Sequence, residues 1–204
     1  MTSSASLTWS RIHRVLQEHA PVTAASLRPP ATTAAVAEAE RAMMLEVPAD
    51  VGEWLLLVDG AVPASGAGVL LPPLFVPVGL QRMVELRRMK LEIYGGQDGE
   101  QGFAGESRQE FSSAFFPVGD DTTGDLLVVD TRPGGAQGCV MSWSKSEGIY
   151  GAPIWANTGQ MWEDVADALE TGQQEGDDGS GDPHLTRNGC AAVFSVTGSV
   201  MWEF

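Results

Sequence analysis

Three aspartates lie close together between two predicted strands, at Asp120, Asp121 and Asp125. Closely set carboxylates could bind a hard cation or share a proton, because two ionised carboxylates repel each other at short range. The segment does not match a calcium-loop pattern, however, and Asp combined with Gly and Thr is typical of a hairpin turn. We therefore favour a turn, and we keep partner contact and metal or catalytic chemistry as the alternatives.

The remaining sequence contains no recognisable catalytic or metal-binding motif. It has no Walker loop, no complete GxGxxG and no GxSxG elbow. Its three histidines are scattered along the chain, and no pair of Cys or His residues has zinc-ligand spacing. No nucleophile, base and orienting group can be assembled from it. We therefore predict no enzyme activity, no metal and no cofactor.

The charge of the chain is negative and unevenly distributed. The formal net charge is −15, which argues against a nucleic-acid partner and against an anionic membrane surface. Residues 1–91 carry eight acids and eight bases, whereas residues 92–204 carry nineteen acids and four bases. This excess is typical of a solvated acidic surface, and the sharper alternative is a face that steers a basic partner.

The cysteine usage and the apolar segments indicate a cytoplasmic location. The chain has two cysteines, Cys139 and Cys190, and both lie in apolar runs, which favours reduced, buried thiols. The spacing of the two cysteines does not match the pattern of a disulfide framework, so a disulfide between them is not indicated. The polar start lacks the basic and apolar regions of a signal peptide, and the most apolar window, Val69–Leu80, is too short to span a bilayer.

Apolar residues recurring at helical spacing predict five helices. We place them from Thr8, as N-cap, to about Ala20; from Thr32 or Thr33 to about Leu45; from Val51 to a closing Asp59 and Gly60; from Leu80 to Leu91; and around Trp162, with Thr158 as candidate cap. The basic run Arg87, Arg88 and Lys90 suits a solvated or dipole-pairing face at the end of the fourth helix.

Short apolar runs separated by turn residues predict the strands. They cover 114–118, 125–130 and 138–143, and the turn-like connections favour an antiparallel meander. Residues 69–78, interrupted by prolines, form a loop or an edge strand. The acidic, Gly-rich segment 173–187 reads as a linker or loop, and residues 188–204 as a β-ribbon with a two-residue turn at Gly198 and Ser199.

Two stretches of the chain resemble the SUKH superfamily, whose yeast namesake regulates cell-wall assembly. They are Ala37–Gly60, AEAERAMMLEVPADVGEWLLLVDG, and Phe116–Val140, FPVGDDTTGDLLVVDTRPGGAQGCV. Met44 departs from the pattern, because the family usually has Gly there. The likeness covers 8–172, which we take as the domain, and the matching positions are Trp9, Glu40, Pro48, Trp54, Asp59, Gly60, Phe116, Pro117 and Asp130.

The resemblance implies an α+β fold, with N-terminal helices packed against a largely antiparallel β-sheet, a late helix and an added C-terminal hairpin. It also implies a function, because many bacterial members are thought to be immunity proteins that bind and neutralise a toxin, often a nuclease. A basic nuclease surface is complementary to an acidic inhibitor. We therefore predict a partner face formed by two acidic loops and containing Asp98, Glu100, Glu106, Asp120, Asp121 and Asp125.

Two other function classes stay open at this stage. The resemblance also allows a general regulatory or scaffolding module that docks onto several host proteins. An enzyme that uses the Asp120–Asp125 cluster with a metal is the third class. We expect a protein partner, with no nucleic acid and no membrane, and a chain that is a monomer or weak dimer.

Overall fold

Among the described residues, most helices lie in the first half of the chain and most strands lie in the second. The computed structural model describes residues 3–96, 102–177 and 181–204. The helices in these ranges are α1 (Ser4–His19), α2 (Pro21–Ser26), α3 (Thr33–Met43), α4 (Ala49–Leu55), α5 (Leu80–Tyr94) and α6 (Thr158–Glu170). The strands are β1 (Val76–Pro77), β2 (Phe115–Asp120), β3 (Leu126–Asp130), β4 (Cys139–Ser144), β5 (Gly148–Ile149), β6 (Gln173–Gln174), β7 (Ala191–Phe194) and β8 (Val200–Glu203). The α+β class predicted from the sequence is confirmed.

The main sheet is an antiparallel meander of five strands in the order β1-β2-β3-β4-β5. Its central strand β3 is fully buried, as the continuous apolar run predicts. The proline-interrupted segment contributes β1, a two-residue edge strand, because proline cannot donate to a ladder. Helices α5 and α6 contact this sheet, while α3 packs on α5 and α1 on α6.

Two predicted N-caps are wrong because another side chain caps the helix, and one predicted C-terminal end is also wrong. The N-cap of α1 is Ser3, so Thr8 lies within the helix and donates its hydroxyl to the Ser4 carbonyl. Asn157, and not Thr158, caps α6. Helix α4 ends at Leu55, well before Gly60, and the short helix α2 was not predicted at all. Of the predicted caps, Thr32 is confirmed, since its hydroxyl accepts a hydrogen bond from the Ala35 N–H.

A second, smaller sheet joins β6, β7 and β8. The predicted C-terminal hairpin is confirmed as β7 and β8. Its turn is longer than two residues, because the backbone N–H of Ser195 still donates to the carbonyl of Ser199, so that Ser199 is not part of the turn. Gln173 and Gln174, predicted to begin a linker, form a strand parallel to β7. Residues 178–180 of that predicted linker lie outside the described residues. The proposed division of the chain near 172 and 187 stays a prediction.

Three tryptophan rings pack against one another where α1, α4 and α6 meet. Trp54 of α4 stacks on Trp162 of α6 with 4.9 Å between the ring centroids, and Trp9 of α1 meets the same ring edge-on at 6.2 Å. Both geometries are the favoured arrangements of aromatic pairs. The apolar stripes from which the sequence predicts α1 and α6 therefore form an interface between helices. This is the outcome expected if the stripes belong to the hydrophobic core.

The basic run of α5 is not a solvated face. Arg88 is exposed, but Arg87 and Lys90 are buried. Arg87 donates to the backbone carbonyls of Met43 and Ser113, and burial lowers its pKa from the ordinary value. The prediction fails because carbonyl acceptors from distant segments replace water around these cations.

Both cysteines are buried and free, as predicted. Burial raises the pKa of the Cys139 thiol to about 11 and also raises that of Cys190. A thiol with a raised pKa is a poor nucleophile near neutral pH, so neither cysteine is suited to catalysis. Of the helices in the described ranges, none has the length and apolar composition needed to cross a membrane.

Replacing Met44 with glycine is expected to stabilise the protein by about 1 kcal/mol. Met44 ends α3 in the left-handed conformation, with φ of 52°, and its side chain is 92% exposed. The methionine therefore holds a strained backbone conformation, and its side chain buries almost no surface. Glycine adopts this backbone geometry freely. Urea unfolding measures the change.

Met44→Ala is the matched control, because it removes the long side chain and keeps the Cβ atom that causes the strain. We expect Met44→Ala to leave the free energy of unfolding nearly unchanged. A gain of equal size in both variants would show that the methionine side chain, and not the backbone conformation, sets the cost.

Candidate partner-binding site

The three aspartates found in the sequence form the connection between β2 and β3, which we name the acidic turn (residues 120–125). Asp121 organises it, because one carboxylate oxygen accepts hydrogen bonds from the backbone N–H groups of Thr123, Gly124 and Asp125 at 2.8–2.9 Å. Burial alone would raise the pKa of Asp121, but these bonds and one from the Thr123 hydroxyl hold it below its ordinary value. Both oxygens of Asp121 are therefore engaged within the turn.

Asp120 points inward. Its side chain is only 4% exposed, and one oxygen accepts from Nε and a terminal nitrogen of Arg82 on α5, at 3.1 and 2.9 Å. The other oxygen accepts from the backbone N–H of Thr122 at 2.9 Å. The carboxylate of Asp120 thus fixes the turn to α5 and offers little surface to a partner.

Two lysines also hold the acidic turn. Nζ of Lys90 donates to the Gly124 carbonyl, and Nζ of Lys145 donates to the Thr123 carbonyl, each at 2.6 Å. Lys90 lies against the ring of Trp143, and its burial lowers its pKa although the three aspartates act in the opposite direction. With Arg82, these cations balance much of the negative charge of the turn, so its field at the surface is weaker than the sequence suggests.

The predicted partner face is not a single cluster. Asp98 and Glu100 lie outside the described residues. Glu106 is exposed, and its backbone carbonyl accepts from Arg132, next to Asp130 at the end of β3. The acidic turn precedes the start of the same strand. Five strand residues, roughly 17 Å, therefore separate Glu106 from the turn.

Asp125 lines a cavity together with Asp121. One of its oxygens accepts from the backbone N–H of Lys145 at 3.0 Å. The cavity has a volume of about 280 Å³ and is lined in addition by residues before β1 and by Asn188 and Phe204 near the hairpin. A second cavity, of about 320 Å³, lies on the other side of the turn, between Arg28 and Arg82. The acidic turn thus separates two pockets.

A carboxylate-lined cleft of about 450 Å³ was not predicted. It lies between the N-terminal ends of α1 and α6 and helix α4, and Asp50, Glu53 and Glu163 line it. Asp50 is engaged there, accepting from the Thr158 hydroxyl at 2.6 Å. Nothing in the sequence predicts that these acids lie close together, since more than a hundred residues separate α4 from α6. Within the described ranges, no group of three or more His, Cys, Asp or Glu side chains is arranged to hold a metal ion.

The motif residues of the first stretch have structural roles. Glu40 accepts from the backbone N–H of Val47 at 3.0 Å and closes the turn after α3, and Pro48 caps α4. Asp59 accepts from the N–H of Leu80 at 2.7 Å and so caps α5. Gly60 follows it with φ of 69°, against the backbone of Gly79. These residues fix the start of α5 and carry no reactive group into a pocket.

The motif residues of the second stretch also lie in the interior. Phe116 and Pro117 are buried in β2, next to an irregularity of the β2-β3 pairing. Asp130 is buried and pairs with Arg132, and it also accepts from the Gly105 N–H at 3.0 Å. These three motif residues of the second stretch therefore have structural roles in the core.

Comparison with known families gives a match that agrees with these two stretches. The model of the SMI1 / KNR4 family (SUKH-1) matches residues 30–169, a range that contains both motif stretches and ends at the last turn of α6. No curated protein sequence matches the chain. The family match covers well over half of the chain. The chain belongs to the SMI1 / KNR4 family (SUKH-1).

Proposed function

We propose that this chain is a non-enzymatic protein-binding domain that neutralises a basic toxin, such as a nuclease, through acidic charge on its C-terminal half. Domains of its family act in toxin immunity or in regulation, which supports an interaction module in general. The choice of a basic partner depends on the charge of the exposed surface.

That surface charge is the observation that carries the proposal. Among the described residues after Leu91, the exposed bases are Lys145 and Arg187. The exposed acids in the same ranges are far more numerous: Glu92, Glu106, Glu110, Glu147, Glu163, Asp167, Glu170, Glu175, Asp177, Asp182 and Glu203. Such an imbalance attracts a basic protein over a distance of about one Debye length, roughly 8 Å at physiological salt.

Capture with the chain as bait identifies the partner, and kinetics with the purified partner tests the proposal. We expect a stoichiometric complex in which the toxic activity of the partner is suppressed. The association rate constant should fall about tenfold or more as salt rises from about 0.01 M to about 0.15 M. Several neutral host proteins without toxic activity, bound at a salt-independent rate, would instead support the regulatory module.

Neutralising exposed acids of the C-terminal half is expected to slow association. The triple variant Glu147→Gln, Asp182→Asn and Glu203→Gln removes three charges that form no ion pair in the described ranges. Because steering depends on the summed field, the association rate at low salt should fall about three- to tenfold, with a smaller change in dissociation. Stopped-flow fluorescence measures both rates.

The matched control removes the same number of charges from the neutral half of the chain, through Glu38→Gln, Glu46→Gln and Glu53→Gln. These three acids are also exposed. We expect a clearly smaller effect on the association rate. Equal slowing by the two triple variants would mean that net charge alone acts, and that the C-terminal half has no special part in recognition.

A further inference from the structure

We propose that the cavity beside Asp125 receives a lysine or arginine side chain of the protein partner. This inference rests on the proposed function and specifies how the partner is held after the acidic surface has attracted it. The cavity is bounded by Leu74, Ile154 and Phe204 on its apolar side and by Asp125, Ser142 and Asn188 on its polar side. We refer to it as the Asp125 pocket.

The apolar side of the Asp125 pocket is open to solvent. Leu74 is 63% exposed, and Phe204 is 91% exposed. Large apolar side chains that border a pocket gain free energy when a ligand covers them, at about 25 cal/mol for each Å² removed from water. The aliphatic stem of a lysine or arginine is a suitable cover, because it buries its methylene groups and keeps its charge at the tip.

The polar side supplies a carboxylate for that charge. Asp125 uses one oxygen to accept from the Lys145 N–H, and its second oxygen has no hydrogen-bond partner among the described residues. Lys90 and Lys145 approach the acidic turn through its carbonyls, but neither lines the Asp125 pocket. A cation that enters the pocket therefore meets Asp121 and Asp125 without a competing base in the lining.

A second, independent feature points to a peptide ligand. Nδ2 of Asn188 is buried and has no hydrogen-bond partner in the described part of the chain, while its Oδ1 accepts from the Thr186 hydroxyl at 2.7 Å. An unsatisfied buried N–H costs about 1–3 kcal/mol, and a ligand acceptor would recover that cost once the Asn188 side chain turns toward the pocket. The backbone carbonyl of a peptide is such an acceptor.

The two features select one ligand chemistry. An anion would be repelled by Asp121 and Asp125, and a purely apolar side chain would leave the free oxygen of Asp125 desolvated and unpaired. A basic residue within a peptide satisfies all three parts of the pocket. Its stem covers Leu74, its cation reaches Asp125, and its backbone carbonyl accepts from Asn188.

The direct test uses a capped Gly-Lys-Gly peptide as probe and follows backbone and side-chain amide signals of the ¹⁵N-labelled protein by NMR. We expect shifts at Leu74, Asp125 and Ser142 and at the side-chain amide of Asn188, with a dissociation constant on the order of 1 mM. The matched probe replaces lysine with norleucine, which keeps the stem and lacks the ammonium. It should bind about fivefold or more weakly.

Asp125→Asn tests the carboxylate, because the amide oxygen can still accept from the Lys145 N–H and the turn keeps its shape. Lysine-peptide affinity should fall about fivefold or more, and Glu38→Gln, which removes the same charge from an exposed residue outside the pocket, should leave it unchanged. Shifts spread over other surfaces, equal binding of both probes, or equal effects of the two variants would overturn the inference.

The same variants separate this inference from the proposed function. In the complex with the toxin, Asp125→Asn and Leu74→Ala should speed dissociation about tenfold. If toxin neutralisation survives both changes, the inference about the Asp125 pocket is refuted and the proposed function is retained. Selective binding of the lysine peptide by a chain that neutralises no toxin would keep the pocket and refute the function.

Discussion

Replacing Gly60 with alanine is expected to lower the free energy of unfolding by about 2 to 5 kcal/mol. Gly60 has φ of 69°, where an L-residue pays about 1–2 kcal/mol. A Cβ atom there would also lie 2.3 Å from the backbone nitrogen of Gly79 and 2.7 Å from the carbonyl oxygen of Pro77. Backbone atoms cannot rotate away, so β1 or the start of α5 must shift.

Gly66→Ala separates the two causes. Gly66 has a similar φ of 80°, but a Cβ atom there would meet nothing within 4 Å. Its replacement should cost only the conformational part, about 1–2 kcal/mol. Urea unfolding followed by circular dichroism compares the two variants. Equal losses would show that Gly60 is required for its dihedral angles alone, and that the close approach to Gly79 contributes nothing.

The role of Gly60 shows how far a local pattern predicts structure. The pair Asp59 and Gly60 reads in the sequence as the end of the helix that contains Trp54, because glycine is common at helix C-termini. In the structure α4 ends at Leu55, and the pair instead supports the start of α5, where Asp59 caps Leu80. The residue types were recognised, but their partners lie twenty residues later in the chain, beyond the range of periodicity.

Elements with strong local signals were predicted well. The meander of β2, β3 and β4 follows from apolar runs separated by turn residues, and α3 follows from its threonine cap and alanine-rich body. Helix α2 was missed because its six residues carry no apolar stripe. Its stability depends on tertiary contacts, such as the hydrogen bond from Thr23 to the Ala67 carbonyl.

The buried cations and the divided acidic loops show what the sequence could not supply. Lys90 reads as a solvated residue, because lysine is rarely buried unless it is paired. Its acceptor is the carbonyl of Gly124, more than thirty residues away. Glu106 and the acidic turn are close in the sequence, yet β3 separates them in space. Both outcomes depend on long-range packing, which a count of charges along the sequence does not reveal.

The pocket proposed for the partner illustrates the same limit. Its apolar and polar sides come from Leu74, Asp125 and Asn188, which belong to three separate segments. The family motifs gave the fold, because they contain residues with strict structural roles. They did not indicate the pocket as a whole, because, among the described residues, Asp121 and Asp125 are the only lining residues that lie within the two motif stretches.

Asp130→Asn is expected to cost about 3–5 kcal/mol. Asp130 and Arg132 are fully enclosed, with 0% and 1% of their side chains exposed, and 2.8 Å separates their closest charged atoms. The variant removes the negative charge that lies beside the buried Arg132 guanidinium. The new amide also places a donor where the carboxylate accepted from the Gly105 N–H. Thermal and urea unfolding measure the loss.

An exposed ion pair and a double variant show whether burial causes this effect. Asp167→Asn breaks the pair of Asp167 with Arg11, which is also short at 2.6 Å but half exposed, and should cost less than about 1 kcal/mol. Adding Arg132→Met to Asp130→Asn removes both buried charges, so the double variant should lose at least about 2 kcal/mol less than the sum of the single variants. Additive losses would mean that Asp130 acts through its bonds to the backbone, because loss of the attraction between the two buried charges must produce coupling between the two positions.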